Sequence, residues 1–266
     1  MNNELKPISA TLPVAPWLGG KRILAKRIAQ RISAIDHVRY VEPFVGMGGV
    51  FFRRTAQPKL EVINDANRDV INLFRILQRH YQQLLDVLKW QLYSRADFAR
   101  LAKLDPEQLT DLERAARFLY MQKAGFGGMG RTFGVDFRAS RWSLAKVEPL
   151  LEAAHERLDG VLIECLDFGE CIERYDSRPG TLFYCDPPYW NHESDYGRGV
   201  FGRADFERLR GQLAGLQGRF ILSLNDTPEV REMFSEFAIE ELEVTYTAGS
   251  LKGHGKPTKE LLISNE

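Results

Sequence analysis

Asp186, Pro187, Pro188 and Tyr189 form the most unusual chemical grouping in the sequence, directly after the apolar segment TLFYC (181–185). Two prolines remove two backbone N–H donors but leave carbonyls that accept hydrogen bonds. A carboxylate beside such a carbonyl would form a pocket of acceptors only, and the tyrosine ring is placed to stack. Such a pocket suits the exocyclic amino group of a planar base. The alternative is an ordinary Pro-Pro turn with a buried tyrosine.

A glycine-rich turn, EPFVGMGG (42–49), is the second grouping and follows the apolar segment VRYVE (38–42). Glycines after a first strand allow a sharp turn and the close approach of a ligand. The spacings GxGxxG and GK[ST] are absent, so a phosphate-cradling loop is disfavoured. Asp65 ends the next apolar segment, where a carboxylate can accept hydrogen bonds from the hydroxyls of a ribose. These features indicate an adenosine-bearing ligand, and a glycine turn followed by an N-capping aspartate is the alternative.

The elements that must position these groups alternate between strand and helix. Strands are predicted at 38–42, 59–64, 161–164, 181–185, 219–224, 239–247 and 260–264. Helical spacing appears at 21–33, at 204–216 and in several segments between residues 67 and 155. This alternation predicts an α/β fold with a mostly parallel sheet, into which the helical middle is inserted. Residues 1–16 carry three prolines and predict an irregular arm.

Composition narrows the class of protein. The chain has 266 residues, 44% of them hydrophobic, which is enough for a sizeable core in one large domain or a core domain with an insertion. No apolar stretch approaches the ~20 residues that span a bilayer, and no signal-peptide pattern opens the chain, so we expect a cytoplasmic protein with no membrane partner. Three cysteines without a CxxC pair and histidines without ligand spacing disfavour a disulfide framework and a metal site.

Seven segments, taken in order, resemble the Dam-like D12 class of DNA adenine-N6 methyltransferases. They are WLGGK (17–21), VEPFVGMGG (41–49), INDANRD (63–69), LDF (166–168), DPPYW (186–190), LSLNDT (222–227) and KELLISN (259–265). The resemblance implies a Rossmann-like class I fold with a seven-stranded, mostly parallel sheet. It divides the chain into a catalytic domain, residues 1–69 and 156–266, and a helical insertion for target DNA recognition, residues 70–155.

The resemblance also implies a reaction: methyl transfer from S-adenosylmethionine to adenine N6 in double-stranded DNA, after the base flips out of the duplex. We expect a monomer, with a dimer as the alternative. Its catalytic residues would be Asp186, Pro187, Pro188 and Tyr189. Its cofactor-binding residues would be Trp17, Lys21, Glu42, Pro43, Phe44, Gly46, Gly48, Gly49, Asp65, Asp167, Phe168 and Asp186. Lys21 would approach the methionine carboxylate, unless it lies on the solvated face of a basic helix, and Asp167 with Phe168 would bracket the adenine.

DNA contacts are expected around a glycine-rich run, residues 123–134. Arginines contact phosphates or guanine edges, and aromatic rings can fill the gap left by a flipped base. The predicted contacts are Arg131, Phe133, Arg138 and Arg141, together with Lys252 and Lys256 in a second basic stretch. The aromatic residues Phe137 and Trp142 are interleaved with the arginines or follow them directly. The alternative is that the aromatic rings pack into the core. The asparagine-rich loop expected of GATC readers is absent, so the target sequence stays open.

The 36 basic and 36 acidic residues give zero net charge. A polarised surface would reconcile this with DNA binding. We expect basic residues from 21–31, 131–141 and 252–259 on one face, and Glu236, Glu240, Glu241 and Glu243 elsewhere. Methylation of cytosine N4 or of RNA adenine, and DNA binding without catalysis, are the alternative functions.

Overall fold

The centre of the computed structural model is one large sheet, and the structure describes residues 5–21, 23–193, 200–245 and 257–265. The strands are β1 (Lys6–Pro7), β2 (Arg39–Glu42), β3 (Ala56–Gln57), β4 (Leu60–Asn64), β5 (Leu162–Glu164), β6 (Thr181–Cys185), β7 (Arg219–Asn225), β8 (Ala238–Thr245) and β9 (Pro257–Ser264). Seven of them form the sheet, in the order β5-β4-β2-β6-β7-β9-β8. The first five pair in parallel, and β9 pairs antiparallel with β7 and β8. The predicted α/β fold with a mostly parallel sheet is confirmed.

Helices cover both faces of the sheet. They are α1 (Ala25–Ala34), α2 (Arg68–Arg79), α3 (Tyr81–Leu88), α4 (Arg95–Ala102), α5 (Asp111–Ala124), α6 (Leu144–Arg157), α7 (Phe168–Tyr175), α8 (Arg203–Ala214) and α9 (Pro228–Met233). In β2, Tyr40 joins the apolar core that contains residues of α1, α2, α3, α5 and α6, whereas Val41 joins the core under α7 and α8. Successive side chains of a strand point to opposite faces, so a sheet covered on both faces needs continuous apolar strands.

Three local predictions differ from the structure. The predicted helix at 21–33 begins only at Ala25, so Lys21 lies before the helix. Helical spacing in the sequence continues from residue 72 to residue 93, but the structure breaks this segment at His80 into α2 and α3. The sequence pattern conceals this break because both helices bury their apolar faces in the same core. In the arm expected to be irregular, β1 pairs antiparallel with β3.

A buried ionic cluster ties the sheet to the helical middle of the chain. Arg54 and Arg157 both donate hydrogen bonds to Glu61, whose side chain has no solvent exposure. The two bonds from Arg157 of α6 measure 2.7 and 2.8 Å. A buried carboxylate is tolerated when it is paired and hydrogen-bonded in this way.

The predicted separation of basic and acidic surface residues is wrong for helix α1. Glu240 of β8 lies 2.8 Å from Arg27 Nη2 and 3.9 Å from Arg31 Nε. On the neighbouring strand, Lys259 Nζ lies 2.8 Å from Glu241 Oε2. Acids expected on another face therefore neutralise the basic residues beside them. Lys252 and Lys256 lie outside the described residues. Within the described ranges, no helix is both long and apolar enough to cross a membrane.

Candidate active site

The order of the strands places the candidate site at the carboxyl ends of β2 and β6. From β2 the chain adds β4 and β5 on one side of the sheet and then β6 and β7 on the other. In open α/β sheets, ligands usually bind in a crevice at the carboxyl ends of the two strands on either side of such a reversal. Val41 of β2 pairs with Phe183 of β6, so the turn after Glu42 and the segment that starts at Asp186 leave the sheet side by side.

A cavity of about 730 Å³ opens at this point. Most of the predicted cofactor-binding residues line it: Trp17, Lys21, Pro43, Phe44, Gly46, Gly49, Asp65, Asp167, Phe168 and Asp186. Pro188 also lines it, whereas Pro187 and Tyr189 are not among its lining residues. Glu42 and Gly48, both predicted to bind the cofactor, lie behind the wall rather than in it. The lining also includes Arg53 and Lys123, which the sequence motifs do not single out.

The glycine turn is shaped by close packing. Gly46 has φ +48°, and a Cβ atom there would lie 2.7 Å from Nε1 of Trp17. Gly48 has φ +70°, and a Cβ atom there would lie 2.6 Å from the ring of Phe52. This glycine therefore allows the Phe52 ring to pack against the turn and does not line the cavity. Side chains other than glycine rarely adopt such φ values. The requirement for glycine is therefore steric at both positions.

Asp65 fixes the same turn from the end of β4. Its Oδ2 accepts a hydrogen bond from the Gly46 N–H at 2.8 Å, and its Oδ1 accepts one from the Asn67 N–H at 2.8 Å. Burial raises the pKa of Asp65 to about 6, although the two hydrogen bonds act to lower it. Each carboxylate oxygen can accept more than one hydrogen bond, so Asp65 can also receive ligand hydroxyls.

Asn64 and Glu42 support the wall from behind. The Asn64 side chain donates to the carbonyls of Pro43 (2.9 Å) and Leu166 (3.1 Å) and accepts from the Leu166 N–H (2.8 Å). It therefore holds the turn after β2 against the segment that leads to Asp167. Glu42 is 1% exposed and accepts a hydrogen bond from Tyr40, and burial raises its pKa to about 8.

Asp167 and Phe168 line one end of the cavity and contact an arginine that the motifs did not reveal. Arg208 of α8 binds both carboxylate oxygens of Asp167, at 2.9 and 2.7 Å. Its guanidinium carbon lies 4.0 Å from the centroid of the Phe168 ring, and the Phe44 ring lies 5.1 Å from Phe168 on another side. This end of the cavity is aromatic and fits a planar apolar group.

Lys21 lies in the middle of a buried charged cluster. Its Nζ is 2.6 Å from Asp186 Oδ1 and 3.8 Å from Glu260 Oε2, and it donates to the Tyr189 hydroxyl at 2.6 Å. The residue is 2% exposed, so the alternative of a solvated basic face does not hold. Burial raises the pKa of Asp186 to about 6, and the charge of Lys21 opposes that rise. In this structure the ammonium is engaged by side chains of the protein, chiefly Asp186.

The segment after Asp186 is anchored to the neighbouring strand and helix. The Trp190 N–H donates to Asn225 Oδ1 at 2.9 Å, and Asn225 Nδ2 donates to the Trp190 carbonyl at 3.1 Å. The Trp190 ring packs edge-on against Phe206 of α8, and Arg203 lies over it at 3.7 Å. These contacts fix the backbone that carries Asp186.

Comparison with known proteins identifies the family. The model of the D12 class N6 adenine-specific DNA methyltransferase family matches residues 17–248. The chain belongs to this family. Over 95% of both chains it is 29% identical to the type II methyltransferase M1.LlaDCHI of Lactococcus lactis subsp. cremoris. It is 26% identical to the DNA adenine methylase of Haemophilus influenzae, covering 91% of this chain and 89% of the relative. It is 25% identical to the DNA adenine methylase of Escherichia coli, covering 92% of each.

In this member of the family, the residues predicted to contact DNA lie on the glycine-rich region after α5. Arg131 and Arg138 are exposed, and Phe137 is fully exposed. Arg131 also lines a smaller cavity of about 240 Å³ that Trp17 borders from the other side. These residues are accessible to a large partner.

Other aromatic residues of the region pack inward. Trp142 is 6% exposed and contacts Tyr120, so it cannot enter a DNA duplex and the expectation for it is wrong. Phe133 is half-buried, with its ring 5.2 Å from that of Tyr93. Arg141 donates to the carbonyl of Gly125 at 3.0 Å and so supports the loop from within. Packing explains Phe133 and Trp142 better than base contacts do, whereas Phe126 and Phe137 are exposed.

Proposed function

We propose that this protein transfers a methyl group from S-adenosylmethionine to N6 of adenine in double-stranded DNA. The observation that carries the proposal is the position of Asp186. Its carboxylate lies at the carboxyl end of β6, on the wall of the 730 Å³ cavity, beside two buried prolines. The family to which the chain belongs is described as N6 adenine-specific DNA methyltransferases, which supports adenine N6 in DNA as the acceptor.

The cavity fits S-adenosylmethionine in both size and chemistry. Ligand sites of this kind occupy roughly 300–1,000 Å³. The aromatic end formed by Phe44 and Phe168 suits the adenine, and Asp65 suits the ribose hydroxyls. When bound, S-adenosylmethionine supplies a methyl group on a positively charged sulfur. The arrangement of strands supports assignment to the Rossmann-like class I methyltransferases.

Asp186 acts on the target base through hydrogen bonding. The lone pair of adenine N6 is delocalised into the ring, which makes the amino group a weak nucleophile. Hydrogen bonds from N6–H to the Asp186 carboxylate and to the Pro187 carbonyl favour a pyramidal nitrogen with a localised lone pair. The positive charge of Lys21 favours the ionised carboxylate, which only accepts hydrogen bonds. Preorganised groups of this kind stabilise charge as it develops in the transition state.

The target adenine must leave the duplex to reach Asp186. Tyr189 follows the two prolines, and its hydroxyl is held by Lys21 at 2.6 Å, so its ring has a fixed position at the site. Stacking on an aromatic side chain contributes about 1–3 kcal/mol per base, which is comparable with the cost of unstacking a base. Tyr189 therefore receives the face of the flipped adenine.

Residues 70–155 form the target-recognition region in this proposal, and residues 1–69 and 156–266 form the catalytic domain. Arg131, Arg138 and Phe137 are exposed on the former and would contact DNA. Lys252 and Lys256 are proposed as further backbone contacts. The target in this proposal is either a short DNA site or adenine in a relaxed sequence context.

The test compares the wild-type protein with Asp186→Asn and with Asp159→Asn, a matched change at an exposed position after α6. Each protein is incubated with labelled S-adenosylmethionine and plasmid DNA, and modified bases are mapped by single-molecule sequencing. We expect N6-methyladenine from the wild type and the Asp159 variant, and none from the Asp186 variant, which should still bind the methyl donor. Methyl groups on cytosine, or no transfer by the wild type, would overturn the proposal.

A further inference from the structure

Lys123 is a cation in the cavity that has no partner of opposite charge in the part of the chain that the structure describes. It lies in the last turn of α5, is partly buried, and lines the 730 Å³ cavity. Within the described residues, no carboxylate lies within 4.0 Å of its ammonium group, and no hydrogen bond engages that group. This distinguishes Lys123 from Lys21, whose ammonium is engaged by Asp186.

The surroundings of Lys123 disfavour the charged form of its side chain. Burial lowers the pKa of Lys123, and the nearby charge of Lys146 lowers it further. Burying a cation without a partner is unfavourable, and buried cations in proteins are normally paired. A lysine that faces a ligand cavity under these conditions is a candidate for binding an anion.

The chemistry of the cavity indicates which anion this is. The aromatic end and Asp65 account for the adenosine part of S-adenosylmethionine, and Asp186 marks the position of the reacting methyl group. The remaining part is the amino-acid end, which carries a carboxylate. Among the residues that the structure describes, the cationic ones that line the cavity are Lys21, Arg53 and Lys123. Lys21 is held by Asp186 and Tyr189, and Arg53 donates to the Gly49 carbonyl at 2.6 Å.

We propose that Lys123 binds the carboxylate of the methionine moiety of S-adenosylmethionine. The inference rests on the proposed function and adds a binding residue from the helical region to it. It also replaces the expectation that Lys21 has this role. Because Lys123 is the first residue of the glycine-rich run 123–134, binding of the methyl donor would connect the catalytic sheet with the surface that carries Arg131.

Comparing the binding of ligands with and without the carboxylate tests whether Lys123 binds that group. Calorimetry would measure the binding of S-adenosylhomocysteine, which retains the amino-acid end, and of 5′-methylthioadenosine, which lacks it. The proteins are the wild type, Lys123→Met, Lys123→Gln, Lys123→Arg and the control Lys146→Met, which removes the neighbouring exposed charge. Thermal unfolding confirms that each variant is folded, and loss of an unpaired charge should not lower the midpoint.

We expect Lys123→Met and Lys123→Gln to weaken S-adenosylhomocysteine binding by about tenfold to a hundredfold, as is typical for a hydrogen bond to a charged group. Binding of 5′-methylthioadenosine should change less than about twofold, Lys123→Arg should restore part of the loss, and Lys146→Met should behave as the wild type. An equal loss for both ligands, or no loss for either, would overturn the inference.

A contact between Lys123 and a DNA phosphate would give a different pattern. Fluorescence anisotropy with a labelled duplex would then show weaker DNA binding and a shallower salt dependence in Lys123→Met, with S-adenosylhomocysteine binding unchanged. That result would overturn the inference and leave the proposed function intact. Failure of the wild type to bind either S-adenosylmethionine or S-adenosylhomocysteine would overturn both.

Discussion

Replacing Lys21 with methionine should move the acid limb of the pH–activity profile to higher pH. In the proposed reaction the Asp186 carboxylate must be ionised to accept the hydrogen bonds of the target amino group. Activity is therefore present above the pKa of Asp186 and is lost as the pH falls through it. Burial raises that pKa to about 6, and the charge of Lys21 is the largest opposing influence. Without the cation, the carboxylate should hold its proton up to a higher pH.

The geometry sets the size of this effect. Lys21 Nζ lies 2.6 Å from Asp186 Oδ1, and the Lys21 side chain is 1% exposed, so solvent screens the pair only weakly. An opposite charge at such a distance lowers a carboxyl pKa by about 1 to 3. In the methionine variant the acid limb should therefore move from about 6 to roughly 7–9. Glu260 stays in place and adds repulsion, which acts in the same direction.

The assay is single-turnover methyl transfer to an oligonucleotide duplex, with saturating methyl donor at each pH. Single turnovers report the chemical step and not the release of product. Lys21→Arg retains the charge and should keep the limb near that of the wild type. Lys26→Met removes an exposed lysine of α1 and serves as the matched control. A uniformly lower rate with an unchanged limb in Lys21→Met would refute the assigned role of the ion pair.

Three further predictions concern the turn, the ligand site and the buried cluster. Gly46→Ala should weaken S-adenosylhomocysteine binding by about tenfold or more because the added Cβ would meet the Trp17 indole. Gly127→Ala is the control, since Gly127 has φ +68° and open space around it, so that an alanine there introduces backbone strain but no clash. Equal losses of affinity in titration calorimetry would contradict this prediction. Binding should weaken as the pH falls through about 6, where Asp65 gains a proton, and Asp65→Asn should abolish that dependence. Arg157→Met should lower the free energy of unfolding by roughly 3 kcal/mol or more in urea titrations; a loss below about 1 kcal/mol would show that Arg54 suffices for Glu61.

The strands that position the site could be predicted accurately from the sequence because they are buried on both faces. All five residues of β6 are buried, so the strand is visible as an unbroken apolar run. The groups predicted to be functional follow such runs directly, as Asp186 follows β6. In a parallel sheet this position alone brings them to one edge. Local sequence order was sufficient for these residues.

The partners of those groups depend on contacts between distant residues. Lys21 and Asp186 are far apart in the sequence, and no local pattern shows that the first neutralises the second. The same holds for Arg208, which binds Asp167 although the two lie 41 residues apart in the sequence. It also holds for Lys123, whose sequence context is that of any lysine near the end of a helix. The sequence therefore indicated which residues form the cavity, and the structure was needed to pair their charges.

The pairing of charges also changes the meaning of a net charge of zero. The basic residues of α1 were expected to face a polyanion, but Glu240 neutralises Arg27 and Arg31. Among the described residues, Arg131 and Arg138 have no such acidic partner, and Arg138 directly follows the fully exposed Phe137. Phosphate binding depends on the local density of unneutralised cations rather than on the sum over the chain. The region after α5 is therefore where DNA affinity should originate in a protein that is neutral overall.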